Sequence, residues 1–142
     1  MNKILNLGRY VFPLSFTLYL VLHLAKPTVG ASLVPEYMPY RYFWNYFTAG
    51  CIFLFIISAV TGRYDRLAYL LMSFYVLLMA FLVHLSRAID IIPITNVMAG
   101  TLAREKELEM INFFRNIMIT GALLGFAKYV ARDHRMKIVF SP

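Results

Sequence analysis

Four long apolar stretches dominate the hydrophobic pattern of this chain. They run over about residues 10–25, 43–61, 67–89 and 111–131. A mainly apolar helix of about twenty residues is long enough to cross a hydrocarbon core of roughly 30 Å. The pattern therefore predicts an all-α integral membrane protein. We expect an antiparallel bundle of four transmembrane helices that forms a single domain over residues 1–142.

The first stretch has two alternative interpretations. The tripeptide Val29-Gly30-Ala31 that follows it resembles the cleavage site of a signal peptide. However, the apolar run is long for a signal peptide and contains Pro13 and His23. We therefore expect a retained span, with Pro13 in its first turns, where a proline disturbs a helix little.

The segments between the stretches differ in character. Residues 28–42 contain Pro35, Pro39 and several tyrosines, which favours extended or turn-like backbone at a membrane interface. Residues 62–66 form a link short enough to make the second and third stretches a hairpin. Residues 90–109 begin apolar and end as the charged start of a helix.

A pair of glycines lies in the fourth stretch. Gly121 and Gly125 have the small-xxx-small spacing that lets two membrane helices approach closely. The pair predicts a close helix contact on this face of the fourth span.

Composition agrees with a membrane protein. The chain is 61% hydrophobic and 15% charged, whereas a soluble domain is roughly half apolar and a quarter charged. The net charge of +7 is explained by the basic flanks of membrane helices. We therefore expect the lipid bilayer, and no nucleic acid, as a partner.

The basic residues also predict the orientation. Four spans place both termini and the link at 62–66 on one side, which carries eight of the 14 lysines and arginines. The other side carries six. Because cytoplasmic segments hold the excess of basic residues, both termini are predicted to be cytoplasmic, in a bacterial inner membrane.

Polar side chains inside the spans are predicted to meet at the outer end of the bundle. In an antiparallel arrangement, the first and third spans end where the second and fourth begin. Asn45 lies at this level in the second span. The predicted binding site consists of His23, His84, Arg87, Asn112, Arg115 and Asn116.

Two interpretations of this cluster remain open. Taken singly, Arg115 could extend to the interface, and the asparagines could simply join helices. Taken together, ionisable residues within membrane spans tend to face a cavity and to be functional. Such a set suits a ligand with a polar head and an apolar tail, namely a quinone or a lipid.

Motifs for other chemistry are missing from the sequence. Two histidines without a third firm ligand do not predict a metal site. Cys51 is the single cysteine, so no disulfide or C-x-x-C motif exists within the chain. No Ser-His-Asp spacing, phosphate-binding glycine loop or intramembrane carboxylate pair predicts catalytic residues.

A set of loose motifs extends from about Gly8 to Tyr129. They are His23 followed by Pro27, the pair Pro35 and Pro39, Ala49-Gly50, Gly62-Arg63, and Arg115-Asn116 followed by Gly121 and Gly125. Together they resemble the DoxX family of small four-helix bacterial membrane proteins. Many members carry an acidic residue shortly after the second-span glycine, where this chain has Cys51-Ile52-Phe53.

The resemblance implies a likeness to subunits of thiosulfate:quinone oxidoreductase and to membrane components of thiol-redox assemblies. It favours a non-catalytic membrane subunit or anchor that assembles with a soluble or membrane redox protein. The alternative is a stand-alone membrane oxidoreductase or quinone-reducing enzyme that uses the same pocket. The lack of redox and cofactor motifs favours the subunit.

Overall fold

All regular secondary structure in the described part of the chain is helical. The computed structural model describes residues 2–35, 38–92, 94 and 101–133, with side chains from residue 7 onward. Four helices in it are long and apolar enough to cross a membrane, and we refer to them as the first to fourth spans: Leu7–Ala25, Arg41–Thr61, Asp65–Ala88 and Leu102–Tyr129. The predicted all-helical fold class and the four long apolar helices are therefore confirmed.

The first long helix is interrupted at Phe16. Helix α1 (Asn2–Ser15) is followed by a turn residue and then by α2 (Thr17–Ala25). Because α1 begins earlier than the sequence pattern predicted, Pro13 lies in its last turn and not in its first turns. A proline inside a helix has no N–H to donate and distorts the turn. The amide of Phe16 accordingly bonds to the carbonyl of Pro13 at 3.2 Å, three residues back.

A short helix follows the first span directly. Residues 28–42 were predicted to be extended or turn-like, but α3 (Pro27–Leu33) is helical, so that prediction is wrong for this half. Pro27 stands at the start of α3, where its fixed φ angle favours a helix. Extended backbone begins at Val34, since the residue before a proline avoids helical angles. Residues 36 and 37 lie outside the described residues.

The second and third spans are joined by three residues. Helix α4 (Arg41–Thr61) ends at Gly62, whose φ of 75° is left-handed and whose amide bonds back to Ser58. Glycine adopts this angle without steric strain, which suits it to end a helix. Helix α5 (Asp65–Met79) begins after these three linking residues and packs against α4.

The third span changes its helical form near its end. It passes from α5 into a π-helical segment, Ala80–Leu85, and ends in α6 (Ser86–Ala88). A π turn is wider than an α turn by one residue, and such turns are frequent at functional sites. The hydroxyl of Ser86 bonds to the carbonyl of Phe81 at 2.9 Å, within this wider turn.

The fourth span is one continuous helix, α7 (Leu102–Tyr129). The charged residues before 111, predicted as a helix start, form its first turns. Its buried residues repeat at helical spacing, and they are Glu109, Asn116, Thr120, Leu123 and Ala127. This face of α7 packs against α5, the π-helical segment and α6.

The glycine pair of α7 does not make the predicted close contact. A Cβ atom built on Gly121 or Gly125 would meet no described atom within 4 Å. Asn116, Thr120 and Leu123 occupy the packed face, and the glycines fall beside it. The prediction from small-xxx-small spacing was therefore wrong here.

Aromatic side chains link the four spans at their core. Phe16 contacts Phe55 with ring centroids 4.9 Å apart, and Phe55 contacts Tyr69 at 5.4 Å. Tyr69 in turn lies 5.5 Å from Phe126 of α7. Edge-to-face and tilted contacts of this kind add to the dispersion energy of the core.

A buried carboxylate ties together the end of α4, the start of α5 and the segment after α7. Asp65 is only 2% exposed and accepts hydrogen bonds from the amides of Arg66, Arg132 and Asp133 at 2.8–2.9 Å. The guanidinium of Arg132 donates to the carbonyls of Ala59 and Val60, which end α4. We call these contacts the Asp65 clamp.

The Asp65 clamp gives a testable prediction of stability. Asp65→Asn replaces one acceptor oxygen with an NH₂ group that faces amide donors, so we expect a loss of roughly 1–3 kcal/mol in the free energy of unfolding. Thermal unfolding of the purified protein in detergent measures this loss of stability. The matched control is Asp90→Asn, at an exposed carboxylate paired with Lys106, where we expect about 1 kcal/mol or less. Equal effects of the two substitutions would contradict the prediction.

Candidate functional site

A cavity of about 400 Å³ lies where α2, α3, α4, the third span and α7 meet. Most of its wall consists of aliphatic and aromatic side chains. Its polar wall includes four of the six residues predicted from the sequence, namely His23, His84, Arg115 and Asn116. The structure thus brings these four to one cavity. Their role in binding stays a prediction.

His23 and Asn45 join the first and second spans by two hydrogen bonds. The Nδ1 atom of His23 lies 2.6 Å from Oδ1 of Asn45, and Nδ2 of Asn45 donates to the carbonyl of His23 at 3.0 Å. Asn45 is 1% exposed, so both ends of its carboxamide need partners. The reciprocal pair supplies them.

Gly30 lets α3 approach this pair closely. A Cβ atom at this position would lie 2.9 Å from Nδ1 of His23 and would overlap the carboxamide of Asn45. Only a residue without a side chain therefore fits between α3 and the His23–Asn45 pair.

His84 and Glu109 join the third and fourth spans. Nδ1 of His84 lies 2.6 Å from Oε2 of Glu109. Arg87 donates to the other oxygen of Glu109 at 3.4 Å and to the carbonyl of Ser32 in α3 at 2.9 Å. Glu109 is buried, and a buried carboxylate is stabilised when it is both paired in charge and hydrogen-bonded. This network connects α3, α6, the π-helical segment and α7.

Arg115 and Asn116 keep their donors available. Both line the cavity, and neither side chain has a hydrogen-bond or ion-pair partner within the ranges that the structure describes. Asn116 is buried, while Arg115 is exposed. A guanidinium offers five N–H donors and a carboxamide offers two. These groups can bind an oxygen of a ligand head group.

Two predicted residues do not line the cavity. Arg87 is engaged by Glu109 and by the carbonyl of Ser32. Asn112 is partly buried one turn before Asn116, away from the cavity wall. Across the described residues, no group of three His, Cys, Asp or Glu side chains could hold a metal ion.

Sequence reasoning missed several residues of the site. Glu109 was assigned to the charged helix start and not to the site, although it lies seven residues before Asn116 and so on the same helical face. Asn45 was placed at the correct level but left out of the predicted set. Thr48 and Tyr75 line the apolar part, with their hydroxyls 3.1 Å apart.

Comparisons with known proteins give no relative. No protein-family model matches the chain, and no curated protein or solved structure matches it. The resemblance to the DoxX family therefore stays a prediction.

The close approach at Gly30 is directly testable. Gly30→Ala forces α3 away from His23 and Asn45, and overpacking of this kind is expected to cost roughly 1–3 kcal/mol of stability. The matched control is Gly50→Ala in α4, where an added Cβ meets no described atom within 4 Å. That change should be neutral or stabilising by about 0.5–1 kcal/mol, because alanine favours a helix. Thermal unfolding of both variants in detergent compares them, and a neutral Gly30→Ala would contradict the packing.

Proposed function

We propose that this chain is an integral membrane protein whose cavity binds a small amphiphile, a quinone or a lipid. We further propose that it serves as a non-catalytic membrane subunit or anchor of a redox-linked complex. In this proposal it forms an antiparallel four-helix bundle in a bacterial inner membrane, with both termini cytoplasmic. The DoxX resemblance belongs to the same proposal.

Membrane integration is supported by the outward faces of the helices. Each of the four long helices exposes large apolar side chains, for example Leu18, Leu54, Phe74 and Met118. Apolar surface of this extent is unfavourable in water but suits the lipid hydrocarbon. Helices also satisfy their own backbone hydrogen bonds, which a span requires.

The antiparallel arrangement is supported by contacts between span ends. His23, late in the first span, bonds to Asn45, early in the second. His84, late in the third span, bonds to Glu109, early in the fourth. Contacts of this kind are those expected of consecutive helices that run in opposite directions.

The cavity is the single observation that carries the ligand proposal. Its volume of about 400 Å³ lies in the range of small-molecule sites, which are mostly apolar with a few fixed polar groups. Arg115 and Asn116 supply donors that no described residue engages, and the apolar wall suits a tail. A quinone or a lipid has both a polar head group that can accept from these donors and an apolar tail.

The chain contains a built-in reporter for ligand binding. Trp44 is its single tryptophan and lines the cavity. A quinone bound there should quench its fluorescence. We expect saturable quenching by decylubiquinone in detergent, above the linear collisional quenching of a tryptophan ester in the same micelles.

Two asparagines of α7 provide the matched variants for this titration. Asn116→Leu removes a cavity donor and should weaken decylubiquinone binding roughly 5- to 100-fold, the equivalent of one lost hydrogen bond. Asn112→Leu, one turn away, should leave binding unchanged, because the structure places Asn112 outside the cavity wall. Linear quenching alone would contradict the ligand proposal. Equal effects of the two substitutions would contradict the placement of the site.

The alternative is a stand-alone membrane oxidoreductase. The His84–Glu109 hydrogen bond on the cavity wall favours it, because such a pair can hold or move a proton beside a bound head group. Gentle extraction of a tagged chain separates the two functions. A stable complex with a redox protein, together with no quinone turnover by the isolated chain, is the expected result. Turnover by the isolated chain would establish the enzyme instead.

A further inference from the structure

We infer that the cavity selects a head group that donates a hydrogen bond, such as a phenol or a hydroquinone, over one that carries only acceptor oxygens. The inference rests on the proposed function, since it names the class of amphiphile that this cavity takes. Its basis is the geometry of the two imidazoles.

The carboxamide of Asn45 fixes the proton on His23. Its Nδ2 donates to the carbonyl of His23, so its oxygen is the atom that faces the ring. A carboxamide oxygen only accepts, and Nδ1 of His23 must therefore carry the hydrogen. In a neutral imidazole the other nitrogen, Nε2, then has a free lone pair.

Glu109 fixes the proton on His84 in the same way. Its carboxylate accepts from Nδ1 of His84, which therefore carries the hydrogen. Arg87 already supplies a positive charge to the other oxygen of Glu109. In a neutral imidazole, Nε2 of His84 then also has a free lone pair.

Both rings line the cavity, and in each the Nδ1 edge is turned to a protein partner. The edge that remains for a ligand is the one that carries Nε2. A hydroxyl head group can donate to these lone pairs, while its oxygen accepts from Arg115 or Asn116. A head group with ether or carbonyl oxygens alone satisfies the donors but leaves the imidazole acceptors without a partner. Unsatisfied buried acceptors weaken binding.

A matched pair of amphiphiles tests this directly. 4-Nonylphenol and 4-nonylanisole share one ring and one tail, and their head oxygen carries a hydrogen in the phenol and a methyl group in the anisole. Calorimetric titration of the wild-type protein in detergent, corrected by titration of protein-free micelles, gives both affinities. We expect the phenol to bind tenfold or more tightly than the anisole.

Substitutions of the two histidines test whether they cause the preference for the phenol. His23→Phe and His84→Phe each remove one acceptor and should reduce the ratio of the two affinities. Ser73→Ala, which removes a buried hydroxyl that bonds within α5 to the carbonyl of Leu70, should keep the wild-type ratio. If a histidine variant does not fold, the wild-type ratio alone decides.

The outcomes separate this inference from the proposed function. Equal affinities, or a tighter anisole, with saturable quenching of Trp44 by decylubiquinone, would overturn the inference and leave the amphiphile site standing. No binding of either compound, together with only linear quenching, would overturn both. A phenol preference that both histidine variants retain would also overturn the inference.

Discussion

Polar groups among apolar helices must find partners, and this constraint organises the whole molecule. A buried donor or acceptor left unpaired costs roughly 1–3 kcal/mol, more than most single contacts contribute. Asn45 therefore bonds reciprocally to His23, and Glu109 bonds to both His84 and Arg87. Each pairing joins one span to the next. Apolar contacts have no preferred direction, so the core packs within the helix register that these hydrogen-bonded pairs define.

The two ends of the helix assembly satisfy this constraint differently. At the Asp65 clamp, the carboxylate accepts hydrogen bonds from three backbone amides, and Arg132 donates to the carbonyls that end α4. Such a closed set has no capacity left for a ligand and acts to hold the chain. At the opposite end, Arg115 and Asn116 face a cavity with their donors unused by the described residues. This difference in hydrogen-bond pairing supports the proposal that a ligand binds at the second of these ends.

The fold was largely predictable because long apolar stretches have few alternatives to helices. Local exceptions followed from interactions that periodicity does not reveal. Helix α3 forms because Pro27 begins it and α4 supports it, whereas composition alone predicted a loop. The pair Gly121 and Gly125 has the spacing of a close contact but falls beside the packed face of α7. Spacing predicts which residues share a face, and not which face meets a neighbour.

The depth of the site residues along the helices was predictable from the sequence. The direction in which each helix presents its side chains was not. An antiparallel arrangement predicts that His23, His84, Arg87 and Arg115 lie at one level. The sequence gives no means to tell the two arginines apart. The distinction comes from Glu109, whose helix begins earlier than the apolar pattern indicated. Once that carboxylate is on a helical face toward the third span, it engages Arg87. Among the described residues, no carboxylate pairs with Arg115, so its donors remain available there. Internal pairing, more than residue type, therefore decides which polar groups can serve a ligand.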